Sequence, residues 1–276
     1  MIYTMNYADR EPYLSFRKVN SWSAKHIGKA DAVFEYSSID ICDDYKQKHQ
    51  TIFDYKRGGG LWLWKPYLIA QTLKQINEGD WLLYTDSGSF FIRNIRHIIS
   101  CAEKYNQSIL LMEQPLLCRQ FTKRECYELT GISEGGENQV LGSPLLINKC
   151  RDSQSFIQEW LFWCEQEELL SPKHFHPEIE EFSDFYSHRE DQSLLTLLRI
   201  KHSLPVFRDC SDYGEFPFAY ASSEYAYHPR EYSNSNYPTV LLCNRKVNPL
   251  KYWGNYIIKH IYNSVFPSLF SKRYLK

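Results

Sequence analysis

The chain has 276 residues with a formal net charge of −1, and 43% of them are hydrophobic, 24% charged and 16% aromatic. That length buries a full core and suits a single α/β domain, while the near-neutral balance excludes a general affinity for nucleic acid, which needs a basic surface. The aromatic excess fits carbohydrate handling and ordinary core filling alike.

The N-terminal run MIYTMNYADRE lacks the basic-then-apolar pattern of a secretory leader. Residues 2–5 read as a first strand, residues 7–10 as a loop at its carboxyl end, and Pro12 as the start of a helix carrying Tyr13, Phe16, Val19 and Trp22. A second strand is expected at 32–35, which makes the strand–helix–strand opening of a Rossmann-like half. No G-x-G-x-x-G follows the first strand, so a dinucleotide fold is disfavoured. Residues 43–53 read as a short polar helix. The Gly58-Gly59-Gly60 turn that follows would allow close backbone approach to a ligand, or serve only as a turn.

The next stretch carries the densest signal. Pro66 opens a helix whose Leu68, Ile69, Thr72, Leu73 and Ile76 share one face, with Gly79 placed to cap it. Trp81-Leu82-Leu83-Tyr84 has no polar face, as a strand covered on both sides requires. Asp86 follows at once, at the strand end where open α/β sheets bind ligands. Lys65, at the amino end of the helix, adds its charge to the positive helix dipole and suits a diphosphate, though a solvated lysine explains it equally.

Beyond Asp86, Ile92, Ile95, Ile98, Ile99 and Ala102 mark a helix, residues 108–112 a strand, and 139–147 a strand with a central break. Thr122 with Glu125, and Ser187 with Glu190, have the spacing of capping boxes. Residues 153–168 form an amphipathic helix with Phe156, Ile157, Trp160, Leu161 and Cys164 on one face, expected in the core. His174 and His176 stand two apart in an acidic segment, where exposed surface is the plainer reading. Leu194, Leu195, Leu197 and Leu198 define a helix after His188-Arg189-Glu190-Asp191-Gln192. The eight cysteines include no Cys-x-x-Cys pair and are expected as free thiols in a reducing cytosol. No run approaches the ~18–20 apolar residues of a membrane span.

The run from Gly58 through Gly88, together with FTKRECYEL (121–129), HREDQSLLTLL (188–198) and FPFAYASS (216–223), resembles bacterial sugar transferases that build capsule and lipopolysaccharide chains. More distantly it resembles the glycogenin and galactinol-synthase type. The resemblance covers most of the chain up to about residue 225. It implies the GT-A fold, with a mixed, mostly parallel central sheet flanked by helices over residues 1–230 and a C-terminal helical extension over 231–276.

It also implies a nucleotide-sugar donor (UDP- or GDP-sugar), a glycan or lipid-linked acceptor, and Mn²⁺ or Mg²⁺ as cofactor. Lys65 and Asp86 match the family's basic residue and the first acid of Asp-x-Asp; the second acid is Gly88 here. The first loop of such enzymes holds the nucleotide base and ribose, which makes Thr4, Asn6 and Arg10 donor-binding candidates. Asp86, with His188 or His228, is the implied metal set. Asp191 and Gln192 match a His-x-x-Asp-Gln that faces the donor sugar, and are the catalytic candidates; the Ser187–Glu190 capping box explains the same charges without chemistry. Glycosyl transfer needs such groups, because the departing diphosphate gains negative charge while the anomeric carbon becomes oxocarbenium-like.

From Tyr232 onward there is no Asp or Glu, while Lys and Arg interleave with aromatic and aliphatic residues such as Tyr252, Trp253, Ile257, Ile258, Phe266 and Phe270. That is the composition of a segment lying on an anionic bilayer, which would place the protein in the cytoplasm and peripherally on the inner face of the membrane. A helix packed on the domain, or in a dimer, is the other reading. Two functions from other classes stay open: a non-catalytic sugar-nucleotide or glycan-binding protein, which Gly88 favours, and a membrane-surface scaffold of a polysaccharide assembly complex.

Overall fold

A computed structural model describes residues 1–245 and 247–266. Nine strands are described: β1 (Ile2–Tyr7), β2 (Ala32–Tyr36), β3 (Trp81–Tyr84), β4 (Phe90–Phe91), β5 (Ile109–Leu117), β6 (Asn138–Val140), β7 (Leu145–Asn148), β8 (Val206–Arg208) and β9 (Leu241–Leu242). Seven form one sheet in the order β2-β1-β3-β7-β5-β6, with β8 on the other side of β5. Strands β2, β1, β3, β5 and β8 run one way, and β7 and β6 oppose them. The architecture is therefore mixed α/β with a mostly parallel sheet, as the sequence implies.

The pleat of β3 shows why that strand lacks a polar face. Leu82 and Tyr84 enter one core with Leu68, Trp160 and Leu194, while Trp81 and Leu83 enter another with Ala24, Phe91 and Ile98. Helices Trp64–Gln75, Arg151–Cys164 and Glu190–Lys201 cover the first face, and Tyr13–His26 and Arg96–Lys104 the second. The leucines at 194, 195, 197 and 198 and the expected Trp160 face are all buried.

Several local expectations are corrected. The polar helix at 43–53 is broken at His49 into Asp43–Lys48 and Gln50–Phe53. Trp22 is exposed, against the ring of His26. Gly79 caps no helix: the Trp64–Gln75 helix has already ended, and Gly79 donates to Lys149 O in the turn before β3. The three glycines 58–60 are needed for backbone handedness, all having φ between +61° and +92°. A Cβ on Gly60 would meet the Phe53 ring at 2.7 Å, so this turn is packed against protein.

Neither capping box forms. Glu125 pairs with Lys123 at 2.8 Å with both side chains fully buried, and Glu190 pairs with Arg57 at 2.5 Å. Each buried acid is neutralised by a cation instead of closing its own helix end, and Glu125 also accepts the His176 N–H; an unpaired buried charge is far costlier than an open helix end.

The C-terminal segment divides in two. Tyr237, Val240 and Leu241 are buried in the second core, and β9 pairs antiparallel with β4. Helix Pro249–Val265 then packs one face through Tyr252, Tyr256 and His260, which hydrogen-bond Asp212 and Glu215. Its other face is open, with Leu250, Ile258, Ile261 and Val265 all exposed. No helix among the described residues is long and apolar enough to cross a membrane. Phe270 and the lysines and arginine at 246, 272, 273 and 276, which the sequence assigns to the basic tail, lie outside the described residues.

Candidate active site

Strand β3 lies between β1 and β7, and the turn from Thr85 to Ser89 leaves its carboxyl end. Asn20 holds this turn from beneath: its buried amide donates to Thr85 Oγ1 (3.0 Å), Ser89 O (3.0 Å) and Ser89 Oγ (3.2 Å). Asn6 in turn donates to Asn20 Oδ1 at 2.9 Å and to Ser21 Oγ at 3.0 Å. Asp86 N–H donates to Ser143 Oγ at 2.8 Å, and Tyr84 Oη donates to Asp86 Oδ1 at 2.6 Å. The result is one exposed carboxylate in a row of buried residues. Burial, then the Asp86 charge, push the Tyr84 hydroxyl well above its ordinary value, so it stays a donor.

Below Asp86 the two halves of the sequence signal meet. Lys65 Nζ donates to Asp191 Oδ2 at 2.6 Å, with Lys65 5% and Asp191 4% exposed. Gly142 passes beside the pair: a Cβ there would lie 3.1 Å from Lys65 Nζ and 3.4 Å from Asp191 Oδ2. Lys65 Nζ also stands 5.4 Å from the centre of the Tyr84 ring. Burial raises the Asp191 carboxyl above the ordinary carboxylate range, with Lys65 opposing. Burial alone would lower the Lys65 ammonium, but Asp191 and then Asp86 hold it above its usual value, so it remains protonated.

Helix Glu190–Lys201 is fixed at its start by three contacts. Trp160 Nε1 donates to Asp191 O at 2.9 Å, Arg57 holds Glu190, and Gln192 Nε2 donates to Gln139 Oε1 at 2.9 Å. Gln114 Nε2 donates to the same oxygen at 3.0 Å, and Gln139 Nε2 donates to Phe121 O at 3.0 Å. A ladder of three amides therefore runs from the donor-side candidate Gln192 into β6 and β5. Sequence reasoning named none of Gln114, Gln139 and Ser143 individually; Gln114 and Gln139 are polar residues at strand positions, the one signal available, and Ser143, in the turn between β6 and β7, carried none.

Lys65, Asp86 and Asp191 are thus brought together, with Gln192 adjoining. The other candidates stand apart from that group. Thr4 is fully buried and Asn6 has its amide on Asn20 and Ser21, while Arg10 is exposed beyond β1. His188 is buried, with Nδ1 accepting the Lys123 N–H at 3.3 Å; burial, then the Lys123 ammonium, push its imidazole down to about 3, so it is neutral. His228 is exposed and shares a hydrogen bond with Asn138 Oδ1 at 2.9 Å.

The implied metal set of Asp86 with His188 or His228 is not brought together, and among the described residues no three His, Cys, Asp or Glu side chains are grouped to hold an ion; Asp86 is the one exposed carboxylate of the turn. Gly88, the position of the missing second acid, is closely packed: a Cβ there would meet Arg245 Cα and O at 3.0 Å each, and Arg245 N–H donates to Gly88 O at 2.8 Å.

No family model matches the chain, and no curated protein matches it. Among solved structures, the chain is similar to mouse xyloside xylosyltransferase 1 in its apo form (12% identity, 90% of this chain and 100% of that one, TM-score 0.49). It is also similar to the galactosyltransferase LgtC in complex with donor and acceptor sugar analogues (15%, 90% and 87%, 0.46). A third is the glycosyltransferase GlyE of Streptococcus pneumoniae TIGR4 (14%, 97% and 64%, 0.38). All three are glycosyltransferases, the class that the sequence resembles. With every TM-score below 0.5, none of them assigns this chain a reaction.

Proposed function

We propose that the protein is a glycosyltransferase that moves a hexose from a UDP- or GDP-sugar to a hydroxyl of a bacterial surface glycan, such as capsule, O-antigen or lipopolysaccharide. The observation that carries this reading is the buried Lys65–Asp191 pair set under the exposed Asp86 at the carboxyl end of β3. Buried ion pairs add little net stability, so one retained beneath a solvent-facing carboxylate suits a charge-handling site.

In the transfer, the bond between the anomeric carbon and the diphosphate oxygen breaks with its electron pair on the diphosphate. The acceptor oxygen bonds the anomeric carbon and gives its proton to a site carboxylate or to water. Asp191 and Asp86 place negative charge where the anomeric carbon turns positive. Lys65 keeps Asp191 oriented, and Gln192, braced by Gln139, is set to hydrogen-bond the sugar. The open face of helix Pro249–Val265 supports contact with an anionic membrane surface, where lipid-linked acceptors reside.

The test is turnover of UDP- and GDP-hexoses, with and without Mn²⁺, by the wild type and by Asp86→Asn and Asp191→Asn. Losses of about 10²-fold or more in both variants are expected. Wild-type rates in either variant of an active preparation would overturn the reading. Gly88 favours one alternative, a sugar-nucleotide-binding protein without turnover, and tight binding of an intact donor across all acceptors would select it.

A further inference from the structure

A diphosphate needs cations, and the lysine the sequence offers for it is closed. Lys65 is buried and its ammonium is committed to Asp191. At Gly88, the place of a second metal-binding acid, a Cβ would come within 3.0 Å of the Arg245 backbone. What stands beside the Asp86 turn instead is positive charge.

Two arginines supply it. The Arg245 guanidinium lies 5.1 Å over the Tyr213 ring, on a backbone hydrogen-bonded to Gly88. The Arg189 guanidinium lies 4.3 Å over the Phe121 ring, two residues before Asp191, and its Nη1 reaches the neutral Gln114 Oε1 at 3.4 Å. Among the described residues neither makes an ion pair, whereas Arg57, Arg119 and Arg230 each have a carboxylate partner. The Tyr213 and Tyr220 rings, 5.1 Å apart, stand with them, and Tyr220 feels both guanidiniums.

Arg189 is mostly shielded from solvent, and burial lowers its guanidinium from the ordinary value, with the like charge of Arg245 adding to the shift. A shielded cation whose neighbouring carboxylate, Glu190, is already paired with Arg57, next to a second cation, is an unfavourable arrangement in the ligand-free protein. An anion between them reverses the sign of that interaction. The planar fork of arginine matches phosphate oxygens two at a time.

We propose that Arg189 and Arg245 together form the diphosphate site, binding the two phosphates of a nucleoside diphosphate and neutralising their charge without a divalent cation. The site rests on the transferase reading for its nucleoside, and on the two arginines for its anion.

The test is calorimetric titration of inorganic pyrophosphate, UDP and GDP in EDTA, on the wild type and on Arg189→Gln, Arg245→Gln and the double variant. Binding without metal is expected, weakened about tenfold or more by each substitution and further by both, and weakened by added salt. Arg245→Lys keeps the charge and the backbone contact to Gly88, so it should lie between the wild type and Arg245→Gln. Arg96→Gln, whose partner Glu103 is on the far surface of the Arg96–Lys104 helix, serves as a control with unchanged binding. The proposal is overturned if these anions bind only with Mn²⁺, if they bind under neither condition, or if both arginine variants bind as the wild type does. Sugar transfer that needs Mn²⁺ and ignores both arginines would sink the diphosphate site and leave the transferase reading standing. Arginine-dependent pyrophosphate binding with no donor turnover would do the reverse.

Discussion

Replacing Lys65 by Met tests whether the buried pair is held as its geometry indicates. At 2.6 Å and an effective dielectric of about 20, the two charges attract by about 6 kcal/mol. Removing both from water offsets several kcal/mol per ion, so the net contribution is small. Removing one partner is different. Asp191, 4% exposed, would be left as a buried carboxylate facing Asp86, and the cost is about 3–5 kcal/mol. Lys65→Met combined with Asp191→Leu removes both charges and should restore most of that loss, while abolishing transfer. Urea unfolding followed by tryptophan fluorescence and circular dichroism reads all four corners of the cycle. A pH series adds a sign. A raised carboxyl stabilises the fold below its unfolded value and loses that contribution as pH rises, so the Lys65→Met protein should regain stability on acidification towards about 4. A single variant within about 1 kcal/mol of wild type, or a double variant as unstable as the sum of the singles, would refute the coupling.

Gly88→Asp should not create a metal site; with Arg245 backbone 3.0 Å from the new Cβ, it should lower the thermal midpoint by several degrees without making nucleotide binding depend on Mn²⁺, as a thermal-shift series would show. His188, held down to about 3 in the fold, contributes stability that is present above about 6.5 and lost as pH falls from there towards 3. His188→Gln should therefore close on the wild type by about 1.4 kcal/mol per pH unit in that window, and a constant gap between pH 7 and 5 in urea unfolding would contradict it. Glutamates at Ile258, Ile261 and Val265, all exposed, should abolish sedimentation of the protein with phosphatidylglycerol vesicles at low salt while leaving near-ultraviolet circular dichroism unchanged.

The sequence placed the central elements well because their signals are local. The apolar run 81–84 became β3 with the same bounds, and the break expected within 139–147 is the gap between β6 and β7. Strand β5 was read too short, since Glu113 and Gln114 look like its end. Both are buried because Tyr232 Oη and Asn138 Nδ2 reach the Glu113 carboxylate and the Gln114 amide reaches Gln139. The two capping boxes failed for the same reason: a four-residue pattern cannot show that Glu125 and Glu190 will be buried beside Lys123 and Arg57. Lys65 and Asp191 were each singled out, but only folding shows that they satisfy one another. Arg189 was read only as part of the 188–192 motif and Arg245 only as one cation of the basic tail, because sequence does not show which arginines lack a carboxylate partner.

The contact between Gly88 and Arg245 also orders events in time. A chain made from its N-terminus completes the Asp86 turn early, with Asn6 and Asn20 already present to hold it. Asp191 arrives about a hundred residues later, and Arg245 later still. A ribosome paused before residue 189 therefore carries the Asp86 strand end with neither arginine yet made. The second arginine reaches the Asp86 turn only when β9 docks on β4 and the Arg245 N–H meets Gly88 O. In the proposed diphosphate site, both cations stand beside the turn only once that docking is complete.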